Sequence, residues 1–141
     1  MIQKAWRTLA VLFSVLAVGA AVAATPAPKG ATEYIISPTD GETVTNPFTV
    51  RFGLKGMGVA PAGVDVANTG HHHLLIDVAE PPKPGMPIPK DARHMHFGGG
   101  QTEVSLTLPP GTHTLQLELG DKAHVPFDPP VMSKKITIHV K

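Results

Sequence analysis

Phe48-Thr49-Val50-Arg51-Phe52-Gly53-Leu54-Lys55 alternates apolar and polar side chains almost without a break. Successive side chains of an extended chain point to opposite faces, so this stretch predicts a strand with one face buried and one wet. The same period of two recurs along the chain. Val104, Leu106 and Leu108 alternate with Glu103, Ser105 and Thr107; Leu115, Leu117 and Leu119 alternate with Thr114, Gln116 and Glu118; Ile136, Ile138 and Val140 alternate with Lys135, Thr137 and His139. Tyr34 to Ser37 and His72 to Val78 add two more, so strands are expected near residues 33–37, 48–55, 72–78, 103–108, 112–119 and 133–140.

Beyond the N-terminal stretch no segment carries a 3.6-residue apolar stripe, and fourteen glycines and fifteen prolines punctuate the chain. Pro38-Thr39-Asp40-Gly41, Leu108-Pro109-Pro110-Gly111 and Leu119-Gly120-Asp121 read as turns. Short strands at this spacing predict an all-β fold, an antiparallel two-sheet sandwich of the immunoglobulin or fibronectin type, as a single domain over residues 32–141. The connection from Ala79 to Arg93 contains five prolines. It reads as a rigid link with a vestigial edge strand near Met86 to Ile88.

Lys4 and Arg7 precede an apolar run from Leu9 to Val18 and the small residues Ala21-Val22-Ala23-Ala24. That order is the charged, apolar and small-residue pattern of a secretory signal peptide over residues 1–24, with cleavage after Ala23 or Ala24. The run is short for a membrane span, and no later segment is long enough, so none is expected after cleavage. Residues 25–31, Thr-Pro-Ala-Pro-Lys-Gly-Ala, read as a flexible spacer with nothing to bury. The expected destination is the periplasm or the exterior. Without Lys4 and Arg7, ten basic residues face eleven acidic ones, which gives no electrostatic footprint for nucleic acid. With no cysteine, disulfides, thiolate metal sites and cysteine nucleophiles are excluded, and the fold rests on its apolar core.

All eight histidines lie after Gly70, six of them in Gly70-His-His-His73, Arg93-His-Met-His-Phe97 and Ala123-His-Val-Pro126. Imidazole is the commonest protein ligand for transition metals, so this concentration points to a metal site. In the assumed sandwich, the loops before residues 72–78, before 103–108 and after 112–119 emerge at one end. The three stretches then converge there, and His113 and His139 fall at the opposite pole. Strand parity gives His72 the inward phase of Leu74 and Ile76, while His71 and His73 share the phase of Leu75 and Asp77. A His-x-His spacing sets two imidazoles on one side, about 7 Å apart along the strand. His94 and His96 repeat it.

The expected metal ligands are therefore His71, His73, His94, His96 and His124, three or four at once, with His72 in reserve. Asp77, Glu103, Asp121 and Asp128 are candidates to orient them by accepting the second ring N–H. Imidazole and carboxylate without thiolate favour copper, with zinc next. Bland roles stand beside these: His72 as a core residue, His113 bonded to backbone, His139 exposed and His124 as a brace for its loop.

The ordered series Gly70-His-His-His-Leu-Leu-Ile-Asp77, His94-Met-His-Phe-Gly-Gly-Gly-Gln-Thr-Glu103, Leu108-Pro-Pro-Gly-Thr-His-Thr-Leu-Gln-Leu117, Gly120-Asp-Lys-Ala-His124 and Asp128-Pro-Pro-Val131 resembles an uncharacterised bacterial exported family, domain of unknown function number 4399. The resemblance covers Asn46 to Val140 and implies an exported single-domain β protein, with no reaction attached. The family's pattern often places a second histidine two or three residues after the position of His124. Here Phe127 stands in that region.

An enzyme fits less well. His94-Met-His96-Phe-Gly98 looks like the copper-ligand strand of copper/zinc superoxide dismutases, but their remaining ligand pattern and cysteine pair are missing. No Gly-x-Ser-x-Gly elbow exists, and Gly98-Gly99-Gly100 lacks the Lys-Ser or Lys-Thr of a phosphate loop, which leaves a tight turn. The rival is an envelope interaction module, in which the same histidine-rich pole binds a protein or glycan without metal.

Overall fold

The computed structural model describes residues 23–141. The expected signal peptide lies outside the described residues except for its last two positions. Among the described residues there is no helix, and nine strands form two sheets. One sheet holds β1 (Thr32–Ser37), β3 (Phe48–Lys55) and β7 (Glu103–Leu106), in the order β1-β3-β7 and antiparallel throughout. The other has the order β2-β9-β8-β5-β4, formed by β2 (Thr43–Val44), β9 (Ile136–Val140), β8 (Gly111–Gly120), β5 (Thr69–Ile76) and β4 (Gly58–Val59). A short β6 (His94–His96) also pairs with β5.

The six expected strands form, with their ends shifted by up to three residues. Two features depart from expectation. The edge pairs β2·β9 and β4·β5 are parallel, each two residues long, so the sheet is not purely antiparallel. No strand forms at Met86 to Ile88, because Pro87 and Pro89 lack the N–H groups a ladder needs. Instead Ile88 N–H donates one hydrogen bond to the His124 carbonyl at 2.8 Å, and its side chain is buried.

Alternate residues of both sheets meet in a shared core. Phe48, Val50, Phe52 and Leu106 come from the first sheet, and Leu74, Ile76, Leu115, Leu117 and Ile138 from the second. Leu119, Phe127 and Val131 form a second cluster, packed by Ala27, Ala31, Leu54 and Met57. Residues 25–31 are thus not the idle spacer the sequence suggests. Ala27 N–H bonds the Asp128 carbonyl, Asp128 N–H bonds the Thr25 carbonyl, and Thr25 Oγ1 donates to Asp121 Oδ2 at 2.6 Å. The segment was misread because its two alanines bury too little surface to produce a strand pattern.

β5 lies inside its sheet, with β8 on one side and β4 and β6 on the other. His72, Leu74 and Ile76 face the inter-sheet core, and Phe52 lies against the His72 ring at 5.2 Å. Its other face was expected to be wet or to open into a cavity, yet His71, His73 and Leu75 are buried as well. A strand dry on both faces must satisfy its polar side chains locally, which sets up the site.

Leu117 has no exposure in the shared core, whereas Ile36 is 53% exposed. Leu117→Ala should cost about 2–5 kcal/mol in urea unfolding, and Ile36→Thr should stay within about 0.5 kcal/mol of the parent.

Candidate metal centre

Four of the sequence-expected ligands meet. His71, His73, His96 and His124 each offer a ring nitrogen, and these atoms lie within 4.8 Å of one another. The backbone explains why. In the ladders of β5, His73 sits opposite His96 of β6 and Glu118 of β8, and His71 sits opposite Gly120. Paired residues project to the same side of a sheet, so two neighbouring strands, β5 and β6, deliver His71, His73 and His96 to one patch. His124 arrives from the turn after β8.

That turn is built to hold it. Asp121 Oδ1 accepts the N–H groups of Ala123 and Val125 at 2.8 and 3.0 Å, and the Asp121 carbonyl accepts His124 N–H at 2.9 Å. His124 itself is left-handed, with φ 65°, a conformation that costs a residue with a Cβ about 1–2 kcal/mol. Non-glycine residues kept in this region tend to mark functional sites.

Glycine makes room on two sides. A Cβ at Gly120 would meet His73 Cε1 at 2.6 Å, and one at Gly98 would meet His96 Cε1 at 2.3 Å. Gly98-Gly99-Gly100 does form the expected turn, with Gly100 N–H bonded to the Phe97 carbonyl at 3.0 Å. Its first glycine also seats an imidazole. Neither spacing role is visible without the partner ring in place.

The rings pack edge to face and tilted, with centroids 4.6 to 5.2 Å apart for His71–His73, His71–His96, His71–His124, His73–His96 and His96–His124. His71 Nε2 and His124 Nδ1 share a hydrogen bond at 3.0 Å. His71 Nδ1, His73 Nδ1 and His96 Nε2 are buried with no partner. Each such nitrogen costs about 1–3 kcal/mol if nothing binds it. Burial, then the charges of His124 and His96, lowers the His71 pKa to about 4. Burial and the charges of His71, His96 and His124 lower that of His73 to about 3. Burial, His124 and Lys90 lower that of His96. These imidazoles are neutral at pH 7, the form that donates a lone pair to a metal. Donors around one transition ion sit no more than about 4.2 Å apart, so small side-chain rotations would close the set.

The remaining candidates go elsewhere. His94 stands on the same face two residues along β6 but turns to Asp91, whose Oδ1 lies 2.8 Å from its Nδ1, and it does not join the four. His72 faces the core, where its Nδ1 meets Glu33 Oε1. Burial, then the charge of Glu118, raises the Glu33 pKa well above the usual value, while burial lowers that of His72 to about 4. Both shifts favour the uncharged forms of the two groups. Of the acids expected to orient imidazoles, Asp121 supports the His124 turn through backbone rather than through a ring. Asp77 lies 2.7 Å from His113 Nδ1, Glu103 pairs with Arg51 at the surface, and Asp128 is exposed in the 25–31 contact. His113, whose pKa that Asp77 contact raises, and His139, bonded to Thr112, lie at the far end of β8.

Glu118 is the acid that sequence reading missed. It is fully buried directly across from His73, and both carboxyl oxygens lack a partner. Burial raises its pKa to about 8. Its place in the alternation with Leu117 and Leu119 reads as the wet face of an ordinary strand, and only the covered outer face of this sheet makes it a buried group.

Three of the rings, those of His73, His96 and His124, also line a cavity of about 160 Å³ with Pro87, Ile88 and Lys90. No candidate membrane-spanning helix occurs among the described residues. The sequence model of the family described as "Domain of unknown function (DUF4399)" matches residues 50–141, which includes every histidine of the cluster. No curated protein and no solved structure matches the chain. With well over half of its length matched, from the middle of β3 to the C-terminus, the chain belongs to the family of domain of unknown function 4399.

Proposed function

We propose that this protein binds a single transition-metal ion, copper ahead of zinc, through His71, His73, His96 and His124, and that it does so as an exported periplasmic binding protein rather than an enzyme. The observation that carries this reading is the set of four imidazole nitrogens within 4.8 Å of one another, with a buried, partnerless nitrogen on three of the four rings. A buried ring nitrogen normally finds a hydrogen-bond partner, and three that do not, in one place, are organised for something absent from the chain itself. Four neutral nitrogen donors without thiolate or carboxylate favour copper by ligand type and by the divalent affinity order. The leader-like residues 1–24 support export. The partition of β1, β3 and β7 against β5, β8 and β9 supports an immunoglobulin-like reading of the sandwich.

Glu118 fits the same reading. A divalent ion on four neutral ligands carries its whole charge into a buried patch, and Glu118, opposite His73, is the carboxyl placed to balance it.

Titration calorimetry of the signal-cleaved protein should show one equivalent of Cu(II) bound. His71→Ala or His73→Ala should weaken binding by more than about a hundredfold, while His94→Ala leaves it unchanged. Lack of uptake at micromolar metal, with capture of an envelope protein or glycan that survives those substitutions, would favour the metal-free interaction module instead.

Glu118 also makes a prediction about stability. Its folded pKa of about 8 lies above the ordinary 4.5, so the stability it contributes is present below pH 4.5 and is lost as pH rises to about 8. Glu118→Gln removes that dependence. In urea unfolding without metal, the variant should gain on the order of 2–4 kcal/mol over the parent between pH 5 and pH 8. The same substitution should weaken Cu(II) by about tenfold.

A further inference from the structure

We infer that the cavity beside the four histidines is a binding site for a short-chain carboxylate, which would complete the metal's coordination with one oxygen and meet Lys90 with its charge. The inference rests on the metal reading above. Its basis is the makeup of the cavity, which His73, His96, His124, Pro87, Ile88 and Lys90 enclose. Three of the four imidazoles thus line a space that opens on solvent, next to any ion the four would hold. Cu(II) on four nitrogens takes a further ligand in its tetragonal geometry, and a cavity beside the ion is where an external one would enter.

The electrostatics favour an anion. Lys90 lines this cavity, is exposed, and makes no ion pair among the described residues. The cavity lining contains no carboxylate. With a divalent ion in place, two positive centres flank a small space that holds no negative charge of its own. Asp91, adjacent in sequence, is occupied by His94 and by the N–H groups of Arg93 and His94.

Size and wall chemistry narrow the class. A volume of about 160 Å³ holds about five water-sized groups, which matches the five heavy atoms of propionate. Pro87 and Ile88 form an apolar wall, suited to a short alkyl tail and unsuited to a second charge. A bare halide would leave the wall without contact. The prolines on either side of Ile88 hold that wall in place, because they limit the backbone's alternatives.

The test uses the full signal-cleaved protein loaded with one equivalent of Cu(II), with azide as the optical reporter and propionate as competitor. Azide should produce a saturable near-ultraviolet band, and propionate should remove it. Lys90→Gln should weaken both by about fivefold, the scale of one partly screened charge contact. Lys122→Gln, which changes a lysine paired with Asp65 away from the cavity, should leave both unchanged. Copper uptake without an azide band, an azide band that propionate does not displace, or equal anion affinity in Lys90→Gln would each overturn the carboxylate site while leaving the metal reading intact. Failure to take up copper would overturn both.

Discussion

Everything distinctive here follows from the desolvation of imidazole. Polar rings can be removed from water cheaply only when each nitrogen has a partner, and this fold fully buries three of them, His71, His72 and His73, while leaving a nitrogen on each without one. Burial keeps His71 and His73 uncharged, and the absence of charge lets these two rings lie 4.7 Å apart without repulsion. The same desolvation that is costly to the apo protein prepares the donors for a cation. Stability given up in the empty site is recovered when a ligand binds the folded state only.

The scaffold distributes this cost with care. The inter-sheet core is an ordinary apolar one, and the site lies on the other side of the six-stranded sheet, beneath the proline-rich connection and the turn after β8. Those coverings are short, so they depend on single fixings. Ile88 holds the connection with one backbone bond, and Asp121 organises the turn with its carboxylate and its carbonyl. Thr25 adds a bond to Asp121 from the start of the domain, which ties the first described residues to the turn that carries His124.

Much of this was legible beforehand, and the misses share a cause. Period-two alternation located the six principal strands, and parity correctly separated His72 from His71 and His73, because both depend only on backbone geometry within one segment. The convergence of three histidine stretches follows in the sequence from loops sharing one end of a sandwich, whereas in the structure it comes from the pairing of β5 with β6 and from the turn after β8. His94 was misassigned since spacing cannot tell which of two rings on one face will turn to a nearby aspartate. Gly98 and Gly120 were invisible as spacers, and Glu118 as a buried acid, because each is defined by what lies across from it. Asp77, Glu103 and Asp128 were chosen for proximity in sequence, a poor guide when register sets the neighbours.

The tripeptide His71-His72-His73 sends one ring to the hydrophobic interior and two to the opposite side. A slip of one residue in β5 would exchange those destinations, driving two polar rings against Phe52 and the rest of the core and stranding Leu74 and Ile76 on the outer face. Correct alignment and a complete donor set are consequently a single event, so a partly misaligned chain has neither a proper interior nor an ion-binding patch. Holding the ion would then report on the fidelity of folding as well as on chemistry.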